Sequence, residues 1–134
     1  MVLCTLVVDE LASMRRSIRS ALKERGGTHV IEAGDGYEAL SILRNERIDV
    51  ILSNLRLPRF GGLQLLKQIR SDKALNHIPF IMMSAEWDRE MVFEAIASGV
   101  NHFMMKPFSR DELHEKIAAV SLDDKDFRGD EPLR

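Results

Sequence analysis

Four apolar runs of this chain end on residues able to handle phosphate and a divalent cation: Val8-Asp9-Glu10, Ser53-Asn54, Met83-Ser84-Ala85 and Met105-Lys106-Pro107. Carboxylates suit a hard cation, a hydroxyl bonds an oxyanion, and a lysine neutralises one. Asn54 is the odd member. A carboxylate there would complete a phosphate-accepting site, whereas a neutral carboxamide is no nucleophile for an acyl phosphate. Any one of these polar residues is also the ordinary start of a loop after a strand; it is the four together that suggest an anion or metal site.

The elements that must position them are legible. Apolar runs of strand length recur at residues 2–8, 29–33, 48–53, 78–83 and 100–105. Each is followed by a helical pattern: Leu11, Met14, Ile18 and Leu22; Tyr37, Ala39, Leu40 and Leu43; Leu63, Leu66 and Ile69; Val92, Ala95 and Ile96; Leu113, Ile117 and Val120. Gly26 and Gly27 stop the first helix, the Gly34-Asp35-Gly36 turn opens the second, and Pro58 with Gly61-Gly62 breaks the chain before the third. Ser109 with Glu112 predicts a capping box at the fifth. Strands alternating with helices require crossovers and hence a parallel sheet covered on both faces, an α/β, (βα)5 arrangement. Continuous apolar runs such as Val50-Ile51-Leu52 and Ile81-Met82-Met83 suit central strands of such a sheet. In open parallel sheets ligands bind beyond the carboxyl ends of the strands, where the polar residues fall.

One domain is expected over residues 1–120, and 121–134, rich in charge with Gly129 and Pro132, reads as a flexible tail or linker stub. Charged residues at 30% and hydrophobic ones at 45% are ordinary for a globular protein. The net charge of −2 gives no field favouring nucleic acid or an anionic membrane. Cys4 stands alone, so no internal disulfide forms and a cytoplasmic setting is expected. His29, His77, His102 and His114 lack ligand spacing and read as loop or surface residues. Arg15, Arg16, Arg19, Lys23 and Arg25 read as a solvated helix face.

The segments LVVDE, EAGDGYEAL, ILSNLRLPRFGGLQLLKQIR, IPFIMMSA and MMKPF resemble, in order and spacing, the receiver domain of bacterial response regulators, above all the single-domain chemotaxis type. The resemblance covers about residues 3–120. It implies a doubly wound, flavodoxin-like sheet with strand order 2-1-3-4-5. It gives Asp9 and Glu10 the role of the acidic, Mg2+-binding pair, with the backbone carbonyl of Arg56 as a further metal ligand. Ser84 and Lys106 become the phosphate contacts, Phe103 the aromatic switch residue, and Lys106-Pro107 a cis peptide. Asn54 falls at the phospho-acceptor position and departs from the pattern.

Replacing one of three carboxylates by an amide predicts weak or absent Mg2+ binding, with no other cofactor. Lys106, lacking its usual partner, is expected to turn to Asp9, to Glu10 or to the Asn54 carbonyl oxygen. Two origins of Asn54 stay open. In the first, the chain is a pseudo-receiver, a non-enzymatic interaction module that works without phosphorylation through the face of its fourth helix, fifth strand and fifth helix, with Trp87 as a partner contact. In the second, it is an engineered Asp-to-Asn form of a normal Mg-dependent receiver, and a sensor histidine kinase is then a partner. Neither nucleic acid nor membrane is an expected partner. A flavin or nucleotide site is disfavoured, because Asp9-Glu10-Leu11-Ala12-Ser13 offers no glycine-rich phosphate cradle. For Ser84 a plain helix N-cap, and for Phe103 and Trp87 plain core packing, are the alternatives.

Overall fold

Runs that are apolar on both faces can only be central strands, and the computed structural model pairs them as such. It describes residues 2–86 and 88–128, those after Ser121 as backbone only. The elements alternate strictly: β1 (Leu3–Val8), α1 (Ala12–Arg25), β2 (Thr28–Ala33), α2 (Gly36–Asn45), β3 (Val50–Asn54), α3 (Gly62–Arg70), β4 (Phe80–Ser84), α4 (Arg89–Ala97), β5 (His102–Met105) and α5 (Arg110–Arg128). The sheet is parallel, in the order β2-β1-β3-β4-β5, as expected.

Successive residues of a strand point to opposite faces, so the sheet serves two cores. Leu6, Val8, Ile51 and Met82 pack with Leu43, Leu65, Leu66, Ile69 and Ala95 beneath α2, α3 and α4. Val7, Val50, Leu52, Ile81 and Met83 pack with Ile18, Leu22, Leu113 and Ile117 beneath α1 and α5. Each large apolar side chain buried this way contributes about 1.5–3 kcal/mol.

Local signals set most boundaries. Gly26 and Gly27 take φ of 80° and 66°, conformations that a side chain resists, and they end α1. Asp35 caps α2 by accepting from the Glu38 amide at 2.9 Å, and Ser109 Oγ accepts from the Glu112 amide at 3.0 Å ahead of α5. Residues 121–128, part of the segment 121–134 expected to be a flexible tail or linker stub, carry helical backbone and continue α5. No glycine or proline stands between Ser121 and Arg128, so nothing in that stretch stops a helix. The rest of that segment, 129–134, lies outside the described residues.

Candidate functional site

Parallel strands deliver all their carboxyl ends to one edge, and this edge holds an open cavity of about 330 Å³. Asp9, Glu10, Leu11, Asn54, Arg56, Ser84, Ala85, Glu86 and Lys106 line it. The sheet's ladder continues into these ends. The Asp9 amide donates to the Ala33 carbonyl at 3.1 Å, Leu55 to Met83 at 2.7 Å, and Lys106 to Ser84 at 2.7 Å. The residues singled out by spacing are therefore brought together by backbone pairing, before any side chain contributes.

Asp9 is fully buried. One of its carboxylate oxygens, Oδ1, accepts from the Leu11 amide at 2.9 Å, and the other, Oδ2, accepts from Lys106 Nζ at 2.7 Å. Burying a carboxylate is costly unless it is paired, and Lys106, itself only 12% exposed, pairs it. Of the three partners expected for Lys106, the structure selects Asp9. Glu10 stands exposed at the mouth.

Asn54 closes β3, and its Nδ2 donates to the Arg56 carbonyl at 2.7 Å. The Arg56 side chain reaches over the mouth to Glu86, Nε to Oε1 at 2.8 Å, tying the loop after β3 to the loop after β4. Ser84 is buried, donating from Oγ to the Glu86 carbonyl at 2.8 Å and accepting from the Glu86 amide at 3.1 Å. It is not the cap of α4, a role taken by Asp88. Phe103 is half-buried in β5 and packs against the core rather than lining the cavity. The Lys106-Pro107 peptide is cis. Trp87 lies outside the described residues.

Three contributors went unread in the sequence. Arg15 donates to the Asp9 carbonyl at 2.6 Å and to Glu32 at 2.9 Å, and Arg19 donates to Glu32 at 2.7 Å. Part of the supposedly solvated basic face is thus folded onto the sheet edge. The Arg19 hydrogen bond chiefly, with Arg15 helping against the effect of burial, holds the Glu32 carboxyl below its ordinary value. The second contributor is Glu86, whose position two residues after Ser84 was the available signal. The third is Gly62, where a Cβ would collide with the Asn54 carbonyl oxygen. Among the histidines, His114 is not a free surface residue, since its Nε2 hydrogen-bonds the Ala21 carbonyl at 2.7 Å.

Among the described residues no three His, Cys, Asp or Glu side chains converge to hold a metal ion, and no helix is long and apolar enough to cross a membrane. Comparison with known proteins agrees with the geometry. Chemotaxis protein CheY of Pseudomonas aeruginosa is 37% identical over 115 residues, 86% of this chain and 93% of that protein. CheY-3 of Vibrio cholerae is 38% identical over the same length, covering 86% and 88%. The solved structure of the chemotaxis response regulator CheY4 of Vibrio cholerae matches with a TM-score of 0.83 at 29% identity, over 90% of this chain and 99% of that one. The Francisella response regulator 1452 receiver domain matches at 0.81 and 31%, over 91% and 98%. Residues 5–118 match the response regulator receiver domain, and with this sheet order and these strand ends the chain belongs to that family.

Proposed function

We propose that this chain is a receiver domain of two-component signalling that works through protein contact without taking up a phosphoryl group. The observation that carries this reading is Asn54 at the end of β3, in the cavity that Asp9, Ser84 and Lys106 also line. At the acceptor position, which the family's pattern assigns to residue 54, a carboxamide has no anionic oxygen to attack phosphorus. Its nitrogen is already committed to the Arg56 carbonyl.

The proposed contact surface is the face of α4, β5 and α5. On α4, Phe93 and Ile96 are exposed at 61% and 60%, an uncommon degree for large apolar side chains only three residues apart. The Arg89 guanidinium lies over the Phe93 ring at 5.9 Å. The partner is a protein, the kind of contact that neighbouring exposed apolar side chains serve, and the input that controls contact is partner binding itself.

Intact mass after incubation with acetyl phosphate and Mg2+ tests this reading. The wild-type chain is expected to gain no phosphoryl group, and Asn54→Asp is expected to gain one. A phosphoryl group on Asn54 of the wild-type chain would overturn the reading, and an inert Asn54→Asp would remove the acceptor role from this position.

A further inference from the structure

The residues present do not fit a divalent cation, and the misfit is specific. A cation at this edge needs Asp9, Glu10 and the Arg56 carbonyl as oxygen donors. Asp9 Oδ2 already accepts from the Lys106 ammonium and Oδ1 from the Leu11 amide, while the Arg56 carbonyl accepts from Asn54 Nδ2. Among the described residues only Glu10 of the three has no partner, and a cation at the other two would have to share their oxygens with an ammonium or N–H donor. The charges point the same way. Asp9, Glu10 and Glu86 against Lys106 and Arg56 leave the cavity one net negative charge, which a divalent cation would overcompensate; an aspartate at position 54 would make it two.

We propose that the chain carries its own cation: the Lys106 ammonium and the Asn54 amide engage the oxygen donors that a divalent ion would use, so that the site disfavours a divalent ion and is metal-independent as it stands. This rests on the reading of Asn54 as the acceptor position and deepens it. Lys106 and a divalent ion compete for one buried carboxylate. An ammonium a few ångströms from an incoming cation repels it. Neither side chain alone shuts the site, and each weakens it by its own means. Lys106 does so by charge, and Asn54 by withholding a carboxylate and covering the Arg56 carbonyl.

Mn2+ titration of the full chain followed by electron paramagnetic resonance tests the assignment, with Mg2+ competition for affinity and thermal melts for fold. Wild type is expected to show no saturable site below a millimolar, and chelator is expected to leave its melting temperature unchanged. Lys106→Met, which keeps length and removes charge, is expected to bind at least about tenfold more tightly, the factor that 1.4 kcal/mol of relieved repulsion gives. Lys106→Arg is expected to stay closed. A folded Lys106→Met that binds no better than wild type overturns the proposal.

Should Lys106→Met fail to fold, the wild-type Leu11 amide resonance remains as a probe, because Leu11 reports directly on Asp9. A saturable shift of that resonance below a millimolar Mg2+ overturns the proposal, and its indifference supports it. Failure of the underlying reading looks different. Asn54→Asp that binds Mn2+ beside a Lys106→Met that does not sinks only the internal cation, whereas Asn54→Asp that neither binds Mn2+ nor takes phosphate removes the receiver-site reading itself.

Discussion

Asp9 is as buried as any core leucine, and a carboxylate survives there only because every oxygen of the residue is spoken for: Lys106 and the Leu11 amide at the side chain, Arg15 at the carbonyl. Arg15 is in turn anchored by Glu32, which it shares with Arg19. That anchor is testable by pH. The folded carboxyl of Glu32 lies below its ordinary value, so its stabilisation is fully present above the unfolded value, near 4.3, and is lost as pH falls through the folded one. Glu32→Gln is expected to cost about 1 kcal/mol at neutral pH, between the exposed ion-pair and charged hydrogen-bond ranges. The gap from wild type should close in acid. Urea midpoints of both proteins from neutral pH to below 4 measure it, and a gap that stays constant would remove the ion pairs as its source. Asp9, Glu10, Asn54, Ser84 and Lys106 were legible in the sequence because each follows an apolar strand and parallel strands share an edge. Arg15 was not, because its role depends on how α1 is rotated about its axis and on Glu32 standing beside Val7 across the β1–β2 ladder, neither of which is written in local spacing.

At the scale of elements, α3 must begin almost on top of the end of β3. The Gly62 amide donates to the Leu55 carbonyl at 2.9 Å, and a Cβ at Gly62 would strike backbone, the Asn54 carbonyl oxygen, rather than a side chain able to turn away. Gly62→Ala is therefore expected to cost about 1–3 kcal/mol, although alanine is the better helix former. A melting temperature lower by roughly 3–5 °C per kcal/mol would register it. An unchanged melt would mean that the helix start yields freely, and the close approach would not constrain the site. The sequence marked Gly61-Gly62 only as a break, since spacing shows that a chain turns and not what it turns against. Strand starts went astray for a related reason. Ile48 and Ile78 are buried at 5% and 4% exposure, yet β3 and β4 begin two residues later, at Val50 and Phe80. Those isoleucines enter the core from the approaching loop, and apolar character reports burial without distinguishing a paired backbone from an unpaired one. The helix stops at Gly26 and Gly27 and the cap at Ser109 were readable because they act within one turn.

Over the whole molecule the sheet is one layer shared by two cores, and β3 at its centre feeds both. Ile51 packs beneath α2, α3 and α4, while Leu52, the next residue, packs beneath α1 and α5. Both are fully buried. Truncation to alanine at either position removes a large side chain from a site with little room to collapse and is expected to cost about 2–5 kcal/mol. The two losses fall on opposite faces, which raises the question of whether the faces unfold apart. They share every strand backbone, and the ladder of β3 with β1 and β4 cannot survive the loss of either cover. Ile51→Ala and Leu52→Ala are therefore each expected to lower the urea midpoint with an unchanged slope, in one transition that coincides by far-ultraviolet circular dichroism and by hydrogen exchange on both faces. Two separated transitions in Leu52→Ala, with α1 and α5 released first, would show that the faces are independent. The site at the sheet's edge, built from the ends of four strands, would then outlast half of the core that supports it.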